Sequence, residues 1–336
     1  MINSINRRSF IQKTAYTLSG IALANSLLAF EANPEYVDAP LFDVIIVGGS
    51  YSGLSAALAL GRSLRKVLVI DSGTPCNTPA PHSHNFLTQD GKVPQEIAHI
   101  AKQDILKYPS ISWLDDQVTH AELKGNETII ETANGKKVRG RRILFATGLK
   151  DIMPDLDGYS ACWGKSILHC PYCHGYEFKG KKIGIMGDGN TAFHYALLVK
   201  NYGASLQIFT QDSSKLEKVQ RDALGRNGIE IIESTVKKLQ HKDGWLEAVQ
   251  LENGRTVHLD ALYNRPLFEQ HCKVPVHLGC ELTAQGLLKT DPNQQTSLKG
   301  IYACGDNSSF RSIPVAVATG STAGAAINID LAIEDF

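Results

Sequence analysis

The sequence predicts an α/β chain carrying two Rossmann-like dinucleotide-binding domains, and three observations predict it. A strand, glycine turn, helix and second strand run through residues 42–71; a second copy runs through 182–212; and the composition is that of an ordinary globular chain. Of 336 residues, 43% are hydrophobic and 20% charged, far from the polar, charge-rich composition of a disordered chain. The 34 basic and 34 acidic residues cancel. No basic excess is available to neutralise phosphates, which argues against an electrostatically driven nucleic-acid partner. Seven cysteines are too few for a disulfide scaffold, but Cys170 and Cys173 are spaced as a pair.

The first 40 residues read as an export signal and linker. Arg7-Arg8-Ser9-Phe10-Ile11 and Lys13 form a basic region, followed by a diluted apolar run over 14–30 with small residues at Ala22-Leu23-Ala24. That run is too short and too polar for a membrane span. The order of residues resembles the twin-arginine signal, which carries chains across a membrane already folded. The competing reading is an N-terminal helix or tail on a cytosolic protein. Roughly 300 residues remain, enough for two domains with full cores.

The first fingerprint begins with an apolar run over 44–47, the length and β-branching of a buried parallel strand. Gly48, Ser50 and Gly53 follow at the spacing of a pyrophosphate-binding turn, with Ser50 in the place of the middle glycine. Helix N–H groups after such a turn favour an anion. Asp71 closes the next strand 23 residues after Gly48, within reach of a ribose hydroxyl. The second copy carries Gly187-Asp188-Gly189-Asn190-Thr191-Ala192, so Gly187, Gly189 and Ala192 mark its turn. Further on, Gly305-Asp306 ends a short strand before a helix dense in small residues, and an acid there can bind polyol hydroxyls. Ala146-Thr147-Gly148 marks a crossing between domains.

Through the segments VGGSYSGLSAAL, FATG, HCPYCHGYE, GDGNTA and YACGD, residues 42 to about 330 resemble the low-molecular-weight thioredoxin-reductase-like flavoproteins. The resemblance implies that one domain is inserted in the other: 41–158 with 286–336 would bind FAD, and 159–285 would be an NAD(P)-type domain carrying the cysteine pair. Gly48, Ser50, Gly53 and Asp71 would then hold the adenosine side, Asp306 the ribityl chain, with Gly148 and Gly305 in the same site. His84, in a stretch that runs beside the flavin in relatives, is a candidate flavin neighbour. Cys76 reads as a passive buried thiol. The family also implies a homodimer.

His169-Cys170-Pro171-Tyr172-Cys173-His174 permits three chemistries. The cysteines can form a redox disulfide, exchanging with a partner through a mixed disulfide. C-x-x-C-H is also the covalent haem attachment motif of an electron carrier. Zinc needs four ligands, and no second pair lies at suitable spacing. The position just before the second fingerprint, where the resembled family keeps its redox disulfide, favours the first. By the same resemblance Cys173 faces the flavin, Cys170 meets the substrate sulfur, and His174 stands where relatives keep a proton-shuttling acid. Its ordinary pKa suits acid–base work near neutrality. His169 reads as a capping or packing residue.

Electron direction turns on the nicotinamide domain. The spacing that led from Gly48 to Asp71 leads from Gly187 to Thr210, and Thr210-Gln211-Asp212-Ser213-Ser214-Lys215 contains no arginine to hold a 2′-phosphate. The expectation is an FAD-dependent thiol–disulfide oxidoreductase that oxidises a dithiol, protein or small molecule, with NAD(P)H weakly supported. An NAD(P)H-driven reductase of a thioredoxin-like protein is the alternative.

Overall fold

The computed structural model describes residues 39–336, so the expected export signal lies outside the described residues. The chain opens with β1 (Leu41–Val47), α1 (Tyr51–Arg62) and β2 (Val67–Asp71), then α2 (Pro94–Leu106), β3 (Ile111–Asp115), β4 (Val118–Lys124), β5 (Glu127–Thr132) and β6 (Lys137–Phe145). Val44, Ile45 and Ile46 are fully buried in succession, as a strand covered on both faces requires. Strands β3, β2, β1 and β6 run parallel in that order, with Ile45 opposite both Leu68 and Ile143. β5 and β4 extend the sheet antiparallel.

The chain leaves this sheet through β7 (Leu149–Ile152) and builds a second one. It comprises α3 (Tyr159–Cys162), β8 (Ile167–Leu168), α4 (Pro171–His174), β9 (Lys182–Met186), α5 (Gly189–Val199), β10 (Ser205–Phe209), α6 (Lys218–Arg226) and β11 (Glu230–Ile232). A small antiparallel sheet follows, β12 (Val236–Lys242), β13 (Trp245–Leu251) and β14 (Thr256–His258), and then β15 (Ala261–Asn264). The parallel order is β11-β10-β9-β15-β8. β16 (Leu267–Gln270) then returns antiparallel to β7, so the outgoing and incoming strands cross side by side. After α7 (Val274–His277), β17 (Ile301–Ala303) rejoins the first sheet beside β6, and α8 (Ile313–Asp335) ends the chain.

The insertion is therefore present, and the chain leaves and returns at the β7–β16 pair. Val274, Cys280 and Leu288 are buried with Ile143 and Phe145 of the first core. Met153 and Leu156 pack against the second core, with Tyr159 and Phe209. Apolar side chains after the crossing choose the nearer core, and that choice is invisible in the motifs.

Helix α8 is long and apolar enough to cross a membrane by length and composition alone, with a mean hydropathy of 1.2. Its small residues serve close packing on α1 instead. A Cβ added at Gly320 would lie 2.1 Å from the Ser52 carbonyl oxygen, and one at Gly324 would lie 2.8 Å from that of Ala56. Arg142, almost fully buried, pairs with Asp330 and Glu334 and pins the far end of α8 to β6.

Candidate active site

The turn after β1 is packed to the limit. Gly48 adopts φ +106°, and a Cβ there would meet the Ala146 carbonyl oxygen at 2.3 Å. One on Gly53 would meet the Gly48 oxygen at 1.9 Å. Gly49, which motif reading passed over, abuts the ring edge of Trp113, with 2.1 Å left for a Cβ, and donates its N–H to Asp71 Oδ1 at 2.8 Å. Asp71 thus shapes the turn as well as facing the cleft. Ser50 is the N-cap of α1, extended in backbone and without a side-chain cap bond. The glycines bring backbone close to whatever lies in the cleft, the cradle a pyrophosphate needs.

The cleft itself holds about 780 Å³, within the range of cofactor sites. Gly48, Ser50, Asp71, His84, Gly148, Cys173, His174 and Asp306 all line it. Gly53 and Gly305 stand behind the lining: Gly305 (φ +81°) leaves 2.5 Å between an added Cβ and Ser52 Oγ. Gly187, Gly189 and Ala192 belong to the second fold and do not reach this cleft. Asp306 is deeply set, and burial pushes its pKa up to about 6. Its neighbour Arg311 places Nε 3.7 Å from Asp306 Oδ2 and forks onto Asp151 at 2.7 and 2.9 Å. Burial works against the guanidinium charge, but the buried Asp151 carboxylate outweighs it and raises the pKa. Neither Asp151 nor Arg311 stood in any sequence motif. The fit to FAD rests on these observations: a backbone cradle at one end, a buried acid at the other, and one cavity joining them.

Cys76 departs from expectation. It is exposed on the cleft wall, not buried, with Sγ 3.9 Å from Asp306 Oδ2. The enclosing walls still remove it from bulk water, and with Asp306 they push its pKa up to about 11. It remains a thiol at neutral pH.

Cys170 and Cys173 are joined as a disulfide with Cα atoms 5.3 Å apart. The strand β8 delivers Cys170, and Pro171 starts the single turn α4, whose Cys173 N–H donates to Cys170 Sγ at 3.1 Å. The two sulfurs are not equivalent. Cys173 lines the cleft, whereas Cys170 is 6% exposed and reaches neither cleft nor solvent. Exchange between Cys170 and an outside sulfur therefore requires the 169–174 segment to shift.

Two histidines bracket the pair. Burial, reinforced by nearby His84, pushes His174 down to about 4, so the near-neutral pKa expected from sequence is corrected: the imidazole is uncharged at pH 7. His169 is pushed to about 4 by burial and then by Arg311. Its ring stacks on Trp163 at 5.6 Å, which stacks in turn on Tyr159. His84 lies between Asp90 and Glu177, at 3.7 and 3.4 Å. A smaller cavity of about 420 Å³ shares His82, His84, Gly164 and His174 with the main cleft.

Comparison with known proteins agrees with this geometry. The profile described as pyridine nucleotide-disulphide oxidoreductase matches residues 42–320. The thioredoxin reductase aclD of Aspergillus oryzae is 31% identical over 310 residues, covering 88% of this chain and 98% of its own. The thioredoxin reductase tcpT of Claviceps purpurea is 31% identical over 298 residues, covering 84% and 92%. Among solved structures, the oxidoreductase from Agrobacterium tumefaciens superposes with a TM-score of 0.82 at 37% identity, covering 87% of this chain and 99% of that one.

Proposed function

Because the chain belongs to the pyridine nucleotide-disulphide oxidoreductase family, whose members are FAD-dependent disulfide oxidoreductases that use NAD(P)H, we propose that this member runs as a dithiol oxidase. One observation carries the site assignment: Cys173 and His174, delivered by the second fold, line the same cleft as Gly48, Asp71 and Asp306 of the first. A substrate thiolate attacks Cys170 Sγ, breaks the Cys170–Cys173 bond and leaves Cys173 as the thiolate. The second substrate thiol then displaces Cys170, closing the substrate disulfide and leaving two reduced cysteines. His174, uncharged, takes the proton from an attacking thiol; the outer rim of His84, Asp90 and Glu177 passes it to solvent. FAD, when bound, supplies the two-electron acceptor that reoxidises the pair, with oxygen or a quinone as the terminal acceptor class.

Direction is supported by the loop after β10. Gln211 is spent on the Val236 N–H, and no arginine stands between 210 and 217. The second reading, reduction of a thioredoxin-like protein by NAD(P)H, is favoured by the retained glycine turn at 187–189. Anaerobic stopped-flow mixing with dithiothreitol, NADPH and NADH in parallel separates the two. Rapid flavin bleaching by the dithiol alone supports oxidation; bleaching by micromolar NADPH overturns it.

The CPYCH roles of Cys170, Cys173 and His174 are part of this proposal, as are export and dimerisation. Export rests on the Arg7-Arg8 signal and is checked by cell fractionation. Dimerisation rests on family resemblance, with Ile329 and Ile333 exposed on α8 as available apolar surface, and is checked by sedimentation.

A further inference from the structure

The second dinucleotide fold retains its glycine turn, but a carboxylate of this chain stands at that turn. In such folds the first N–H groups of the helix are left unpaired for a pyrophosphate. Here the Asp188 side chain already takes the first of them, that of Gly189. Its Oδ1 accepts from the Gly189 N–H at 2.7 Å, from the Lys215 N–H at 2.9 Å and from Ser214 Oγ at 3.1 Å; its Oδ2 accepts from Lys215 N–H at 2.8 Å. The strap that supplies these donors is itself anchored. Arg221 donates to the Ser214 and Leu216 carbonyls and pairs with Glu233, and Glu233 accepts from the Ser214 N–H. Gln220 holds Asn190, the next residue of the turn. Space is not what is missing: a Cβ at Gly187 or Gly189 would meet nothing closer than 4.0 Å. The obstacle is charge: a carboxylate of this chain is fixed at the turn, holding its first N–H and tied to the 214–215 strap.

We propose that Asp188 is an internal anion standing in for the pyrophosphate, and that it excludes both NADH and NADPH from the second fold until position 188 is emptied. Two physical effects act together. An arriving pyrophosphate must displace a tethered carboxylate that competes at high effective concentration. It must also come within a few ångströms of a like charge, in a partly enclosed turn where screening is weak. The residues at this turn therefore do not fit the nicotinamide cofactor that the family uses, whichever base or 2′ group the cofactor bears. The inference concerns binding, and does not depend on the direction of electron flow proposed above.

The test is calorimetric titration of the purified FAD-loaded protein with ADP-ribose, NADH and NADPH. Wild type is expected to show no saturable binding up to about millimolar ligand. Asp188→Gly is expected to tighten ADP-ribose binding at least about tenfold, with flavin content and melting temperature showing that it is folded. Should the glycine variant fail to fold, Asp188→Ser keeps an N-cap hydroxyl without the charge and carries the same expected gain. Micromolar binding by wild type overturns the proposal, and so does a folded Asp188 variant with no gain. Dithiothreitol-driven bleaching of the same samples reports the oxidase reading separately: its failure would sink that reading and leave the binding result standing.

Discussion

His84 Nε2 lies 3.4 Å from Oε1 of Glu177, so a loop of the first fold touches the turn that follows the cysteine pair in the second. The contact places an imidazole at the mouth shared by the two cavities, next to His174. In the function proposed above, the redox centre is assembled from both folds. Sulfur chemistry comes from one fold and the cofactor cradle from the other, and the site exists only where they meet.

The unequal exposure of the two sulfurs leads to a spectroscopic expectation. Cys170→Ser should abolish turnover and leave Cys173 as a thiolate on the cleft wall, giving a long-wavelength charge-transfer band with oxidised flavin. Cys173→Ser should abolish turnover without the band. Identical spectra from the two variants would remove the assignment of Cys173 as the cleft-facing partner.

His174→Gln should slow the thiol–disulfide half-reaction by roughly 10²–10⁴, the scale of a lost general base. Because the folded-state pKa is about 4, the deficit should be nearly constant between pH 5 and 9. Flavin content should match wild type. Stopped-flow traces across that range decide the matter, and a deficit that disappears as pH falls through about 6.5 would contradict the low pKa.

Burial of His169 and His174 also makes stability depend on acid. Both pKa values fall from an ordinary 6.5 to about 4 on folding, so between those limits the unfolded chain binds more protons than the native one. These two residues should therefore cost stability as pH drops from about 6.5 towards 4, and leave it unaffected above neutrality. Urea titrations at pH 7.5, 5.5 and 4.5 test this. His174→Gln should be less acid-sensitive than wild type, and an unchanged acid slope would argue against a buried neutral imidazole.

Arg311 and Asp151 form a two-pronged pair in the cleft wall, with the Asp151 side chain only 6% exposed. Arg311→Met leaves that carboxylate buried without its cation, at a cost of about 3–5 kcal/mol. The double variant with Asp151→Leu should recover most of the loss. Chemical denaturation of the three variants is the check, and additive losses would show that the two residues act independently.

Gly49→Ala pushes a methyl to within 2.1 Å of the Trp113 ring edge, and overpacking of this kind costs about 1–3 kcal/mol. Gly53→Ala meets backbone at 1.9 Å and should be worse, because a carbonyl cannot rotate away as a ring can. Both should lose flavin during purification, Gly53→Ala more completely. Absorbance ratios at the flavin and protein bands measure it.

Much of this molecule was legible in contiguous residues. The run ending in Val47, the turn at Gly48, the acid at Asp71 and the Cys170–Cys173 spacing are local signals, because strand burial, positive φ and disulfide closure over three residues are local constraints. What tertiary structure alone decided involves pairs far apart in the chain. Arg311 meets Asp151 across 160 positions, the apolar residues after β16 choose the first core, and Asp188 finds its donors at Ser214 and Lys215. The same holds for protonation and access: His174 loses its charge, Cys170 is hidden and Cys76 is exposed according to what surrounds them. Local sequence sets which conformations a segment can adopt, but desolvation and charge pairing depend on neighbours that only the folded chain brings together.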